Sequence, residues 1–146
     1  MESRKNYALK ASICILLIGI LLIIFVFLAS KPDSPYSGYS ISDQIDVASF
    51  LFDLGWETDS KHITLQNSVL PVEFDSVFEE YNKLQIQQGC DLVNYAGKEI
   101  IVYTAPILNY GNTTENIFAT ILVHNRKIIG GDIHSANLNG FMHTLQ

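Results

Sequence analysis

The sequence has too few cysteines for a disulfide framework: one, Cys14, sits in an apolar run and the other, Cys90, far downstream. A stapled secreted scaffold is therefore excluded. Basic residues are scarce as well. After residue 30 there are six lysines and arginines against fourteen aspartates and glutamates. Nucleic-acid affinity rests on neutralising phosphates, so an acidic chain of this kind is no DNA- or RNA-binding protein. Also missing are H-E-x-x-H, paired C-x-x-C and G-x-S-x-G, and with them the usual signatures of zinc proteases, zinc ribbons and α/β-hydrolases. No cofactor-binding pattern is present, so no cofactor is expected.

Charge is most conspicuously absent from Ala11 to Ala29. These 19 residues contain no ionisable group except the Cys14 thiol and no alcohol except Ser12. As a helix they would extend about 28 Å, close to the hydrocarbon thickness of a bilayer. Residues 1–10, with Arg4, Lys5 and Lys10 against Glu2, form a basic tail that the positive-inside rule assigns to the cytoplasm. The expectation is a signal anchor over 11–29, a linker over 30–40 and an extracytoplasmic domain over 41–146 in the cell membrane. A cleaved signal peptide is the rival reading, but the run is longer than a signal h-region and Phe27 is bulky for a cleavage site. Residues 30–40 hold two prolines, a glycine and four serines, the composition of a short tether.

The domain reads as α+β. A helix is predicted over 42–54, with Ser40-x-x-Asp43 as a capping box and an apolar stripe of Ile41, Ile45, Ala48, Phe52 and Gly55 widened by Leu51 and Leu54. A short strand is predicted from Trp56 to Thr58 and another from His62 to Leu70. Beyond Pro71 a second helix presents Phe74, Val77, Phe78, Tyr81, Leu84 and Gln88 on one face, closed by Gly89. Strands follow over 99–109, 117–124 and 127–134. Pro106 implies an edge or a bulge in the first of these. The second is apolar on both faces and so central. The sum is an antiparallel sheet of four or five strands with both helices on one face.

Polar side chains that could carry function are few. Tyr81, Asn82, Gln85 and Gln88 form an unusual group on the second helix, because Gln85 and Gln88 are polar near its apolar edge, and the first three are taken as candidates. Together with Asp91 and Asp132 they are the candidate binding residues, although amides in that position also suit hydrogen bonds to nearby loop backbone. Asp132, His134 and His143, with His124 or Cys90 as further donors, are a candidate metal group of zinc type. Asp132-x-His134 falls on one strand face, whereas His143 depends on the closing segment. Gly130-Gly131 interrupts a strand and precedes no helix, so a bulge or a close approach by a helix is expected there, not a phosphate cradle. An edge strand carrying Pro106, or the strand after Trp56, offers a place for a partner strand.

Several phrases together resemble a known family: Leu54-Gly-Trp-Glu57, Val69-Leu-Pro-Val-Glu-Phe-Asp75, Tyr81-Asn-Lys-Leu-Gln85, Gln88-Gly-Cys-Asp-Leu92, Ile128-Ile-Gly-Gly-Asp132 and Gly140-Phe-Met-His143. They are similar to a bacterial domain-of-unknown-function family (domain of unknown function 4830) of small single-anchor membrane proteins, common in spore-forming Gram-positive bacteria. The resemblance covers about residues 45–145 and implies an extracytoplasmic bacterial domain with no assigned activity. In the family pattern the position of Cys90 is often aromatic and that of His134 often cysteine. The leading expectation is a non-enzymatic, membrane-anchored domain that binds an envelope or membrane protein. The alternatives are a metal-assisted hydrolase built on Asp132, His134 and His143, and a structural membrane component.

Overall fold

The computed structural model describes residues 15–24, 34–111, 115–137 and 139–146. The chain forms two compact units divided after Pro32. In the first, residues 15–24 form helix α1 with nearly every side chain exposed. Ten residues rise about 15 Å, and among the described residues no helix is long and apolar enough to cross a membrane. The rest of the 11–29 run lies outside the described residues.

The second unit is a five-stranded antiparallel meander. Its strands are β1 (Thr64–Val69), β2 (Glu99–Pro106), β3 (Ile117–His124), β4 (Lys127–Ser135) and β5 (Met142–His143), in spatial order β1-β2-β3-β4-β5. β3 is central, as its two apolar faces require. Asn125 and Arg126 close the β3–β4 hairpin with φ of 48° and 66°, the left-handed pair that matches strand twist in a two-residue turn. Pro106 ends β2 beyond the reach of β1, which pairs only with Glu99–Thr104, so β2 is an interior strand and not an edge. No strand forms over Trp56–Thr58. Ser60–His62 make a single 3-10 turn capped by Asp59.

The helices α2 (Gln44–Asp53) and α3 (Ser76–Gln87) lie on opposite faces of the sheet, which corrects the expectation of one shared face. Odd-numbered residues of β2 and β3, among them Tyr103, Ile121 and Val123, pack with Val47, Phe50 and Leu51 of α2. Even-numbered Ile100, Val102 and Leu122 pack with Phe74, Phe78 and Tyr81 at α3. Each fully buried large apolar side chain contributes roughly 2 kcal/mol, so both layers matter to stability.

α2 is also rotated from its predicted orientation. Asp43 is itself the N-cap, accepting from the Ile45 and Asp46 amides at 2.8 and 3.1 Å. Of the predicted stripe Ile41 and Leu51 are buried, whereas Ile45 is 69% exposed and Phe52 71%. In α3, Val77 faces out while Asn82 and Gln85 are buried, and Lys83 pairs with Glu80, not with Glu79.

The expected linker is partly domain. The turn at residues 35–38 buries Tyr36, whose ring meets Phe50 edge-on at 5.3 Å. Ser40 bridges to Lys127 and the Ile41 amide donates to the Arg126 carbonyl. The aromatic residues Tyr36 and Tyr39 override a proline- and serine-rich composition.

Candidate functional site

α3 starts at Asp75, which caps the Phe78 amide at 2.8 Å, and runs across the face of β4 that carries Gly130, Asp132 and His134. The close approach expected at the paired glycines is made by this helix. A Cβ on Gly130 would lie 2.7 Å from the Gln85 Oε1. The register also slips between Leu122 and Val123, opposite this part of β4.

Gln85 is fully buried, and its Oε1 accepts from the Gly131 amide at 2.8 Å and from Gln88 Nε2 at 2.7 Å. Gln88 Nε2 also donates to the Gly131 carbonyl at 2.6 Å, while its Oε1 accepts from the Tyr36 hydroxyl and the Leu145 amide, each at 3.1 Å. β5 pairs with β4 only at Ile133 and His134. Two helical glutamines thus supply, at Gly131, the donor and acceptor that a longer neighbouring strand would have provided. The Gln85 Nε2 is buried with no partner among the described residues.

One turn earlier, the Tyr81 hydroxyl donates to Asp132 Oδ2 at 2.7 Å, and His134 Nδ1 lies 2.8 Å from Asp132 Oδ1. Asp132 is only 1% exposed. The partly exposed His134 ring stacks on Phe118, with ring centroids 6.1 Å apart. Burial, then the Asp132 charge and the hydrogen bond to it, hold the Tyr81 hydroxyl well above its ordinary value of 10.0. The stability drawn from this proton is complete below pH 10 and is lost as pH rises through the folded value. Tyr81→Phe is expected to cost about 2 kcal/mol near neutral pH. Urea midpoints should also fall less steeply above about pH 10 in the variant than in the natural chain.

Asn82 and Asp91 act beside this pair. Asn82 Nδ2 donates to Asp91 Oδ1 at 3.1 Å, and its Oδ1 accepts the Leu92 amide at 2.8 Å. Asp91 caps the 3-10 turn Leu92–Tyr95. The expected bonding of helix amides to the loop after Gly89 is therefore made by Asn82, whereas Gln85 reaches β4. All five candidate binding residues spend polar atoms on the chain's own groups.

The metal group does not assemble. His143 is on the opposite face, in register with Ile133, because adjacent strand residues alternate sides. There it stacks on Tyr110 and Phe141, at 5.8 and 5.6 Å. Its Nδ1 donates to the Thr144 carbonyl at 2.6 Å and its Nε2 accepts from the Tyr110 hydroxyl at 3.0 Å. His124 Nδ1 donates to the Glu99 carbonyl at 2.7 Å. Cys90 is buried, and burial raises its thiol pKa despite the lowering contact with Ser34. Among the described residues no three His, Cys, Asp or Glu side chains come together as a metal site. Asp132 and His134 meet, as their spacing predicts.

The accessible features lie elsewhere. All six residues of β1 are exposed, Leu65 at 48% and Val69 at 60%, and among the described residues the strand pairs with β2 alone. At its Val69 end an open groove of about 600 Å³ is walled by Asn67, Ser68, Glu99, Ile101 and Arg126. A second shallow groove, of about 480 Å³, lies between the exposed side of α2 and Leu108. Sequence reasoning named the strand after Trp56 as a possible edge but missed the outer face of α2. The signal for that face was present: α2 carries apolar residues on both sides.

The chain matches the model of a family described as Domain of unknown function (DUF4830) over residues 50–133. No curated protein and no solved structure matches it. The matched span covers more than half of the sequence and includes α3, both glutamines and the Tyr81–Asp132 pair, and the chain belongs to that domain-of-unknown-function family.

Proposed function

We propose that the protein is a single-pass, membrane-anchored binding domain that takes an extended segment of another membrane or envelope protein along the free edge of β1. The anchor is the apolar run 11–29, with the basic tail in the cytoplasm and the domain outside; this part rests on the charge-free length and the flanking Arg4, Lys5 and Lys10. The reading is non-enzymatic. The observation that carries the binding mode is β1 itself: six exposed residues, Thr-Leu-Gln-Asn-Ser-Val, with no charge and no proline. Natural edge strands are blunted by lysines, prolines, bulges or a covering element, and among the described residues β1 has none of these.

The test is crosslinking of the full-length protein in its native membranes. A chain keeping residues 1–40 but carrying an unrelated domain removes anchor-driven background. Asn67→Pro is the informative variant, because the Asn67 amide points away from β2 and contributes nothing to the internal ladder. The expected outcome is a partner captured by the natural chain and lost, by tenfold or more, in Asn67→Pro. Equal capture by Asn67→Pro, or by the anchor control, overturns the reading.

A further inference from the structure

The direction of each backbone group on β1 follows from two hydrogen bonds beside it. The Leu70 amide donates to Lys98, across toward β2, and the Ile107 amide donates to Ile117, across toward β3. Backbone groups alternate sides along a strand. With Ser68 opposite Ile100 and Gln66 opposite Val102, the even residues of β1 bond to β2. Leu65, Asn67 and Val69 therefore point their amides and carbonyls at the free edge.

We propose that the occupant of this edge is β1 of a second copy of the chain, paired antiparallel about a twofold axis through Asn67. The inference rests on the strand-addition reading above and names its partner. Self-pairing in one continuous sheet must match residues of like face, so the axis passes through a residue and not between two. Centred on Asn67, the outward residues meet one another: Asn67 faces Asn67, and Leu65 faces Val69 twice. Six backbone hydrogen bonds form, and the two exposed apolar side chains of β1 are covered by each other. Centred on Gln66, only four bonds form and Leu65 faces Asn67. The strand carries no charge, so self-pairing brings no like charges together.

The register makes a positional prediction. Opposed residues of a hydrogen-bonded pair have Cα atoms about 5.5 Å apart, inside the disulfide range. Only position 67 faces itself. In full-length protein with Cys14→Ser, mild oxidation in membranes is expected to link Asn67→Cys into a dimer. Ser68→Cys, whose own twin would be about 8 Å away, should link at least fivefold less. Two differently tagged full-length chains give a second reading. Asn67→Lys alone and Asn67→Asp alone should each lose co-purification several-fold, and the Lys and Asp chains together should regain it.

Failure of the mixed pair to exceed either single variant, together with equal linking at 67 and 68, overturns the self-pairing. A different protein linked through Asn67→Cys, with no dimer, overturns self-pairing and leaves strand addition standing. No linkage at position 67, combined with unchanged partner capture by Asn67→Pro, defeats both.

Discussion

Gly131→Ala is expected to destabilise the domain by about 3 kcal/mol or more, one of the largest losses from a single methyl group in this chain. The added Cβ would lie 2.4 Å from the Thr120 carbonyl oxygen and 3.0 Å from a Leu145 methyl. The first neighbour is backbone of the adjacent central strand and cannot swing away as a side chain would. Relief requires β4 to separate from β3, which strains the ladder as well as the core. Gly38→Ala is the control: nothing lies within 4 Å of its Cβ position, and the expected change is within about 0.5 kcal/mol. Urea unfolding of the two variants, followed by tryptophan fluorescence, measures the contrast. Trp56 reports on the same region because its indole donates to the Leu145 carbonyl at 2.7 Å.

Gln85→Met should cost a similar amount, about 3 kcal/mol, for a different reason. Methionine keeps the length and most of the volume, so little cavity forms. What disappears is the acceptor for the Gly131 amide and for Gln88. A buried N–H is then left without a partner, and Gln88 loses a constraint on holding the Gly131 carbonyl, Tyr36 and Leu145. Gln88→Met is expected to cost less, about 1–2 kcal/mol, because it is only partly buried. A near-neutral Gln85→Met would mean that the helix–strand contact is held by packing alone.

Two phrases distant in the sequence meet in the fold. Tyr81-Asn-Lys-Leu-Gln85 and Ile128-Ile-Gly-Gly-Asp132 are far apart in sequence, yet Tyr81 bonds to Asp132 and Gln85 to Gly131. The tyrosine and glutamine are one helical turn apart, and the aspartate and glycine are neighbours on one strand. The arrangement locks α3 onto the sheet edge. Among the described residues no third metal ligand joins Asp132 and His134.

The meander was legible because β2 and β3 are largely apolar, β4 opens on Ile128-Ile129, and the turns between the strands carry Gly, Asn or Thr. The placement of the helices was not legible. α2 has Ile45, Ala48 and Phe52 on one side and Val47, Phe50 and Leu51 toward the other. Its own sequence cannot choose between them. Tyr36 and Tyr39 settle the matter by closing on Phe50 at 5.3 and 4.8 Å, and they come from a stretch that composition marks as linker. For α3 the obstacle is different. Asn82 and Gln85 turn inward because their partners, Leu92 and Gly131, are brought by the fold, and helical periodicity sees only hydrophobicity. Nor could chain order assign the two helices to opposite faces, since the handedness rule for crossovers governs parallel strands and every pair here is antiparallel.

Two candidate sites in the sequence therefore changed character. The polar group on α3 bonds to the chain's own loop and strand groups. The edge of β1, first noted only as a strand after Trp56, became the surface on which function is proposed. Its lack of protection is readable in six letters once its neighbour is known.

Amide hydrogen exchange along β1 tests this account most directly, in the full-length protein in detergent at low and high protein concentration. The Gln66 and Ser68 amides face β2 and should be protected at both concentrations. Those of Leu65, Asn67 and Val69 should exchange rapidly when dilute and slow by tenfold or more when concentrated, in the alternating pattern that an added strand imposes. Uniform exchange along the strand, or an odd-numbered set that stays fast at every concentration and with every membrane partner present, would contradict the claim that β1 is a binding edge.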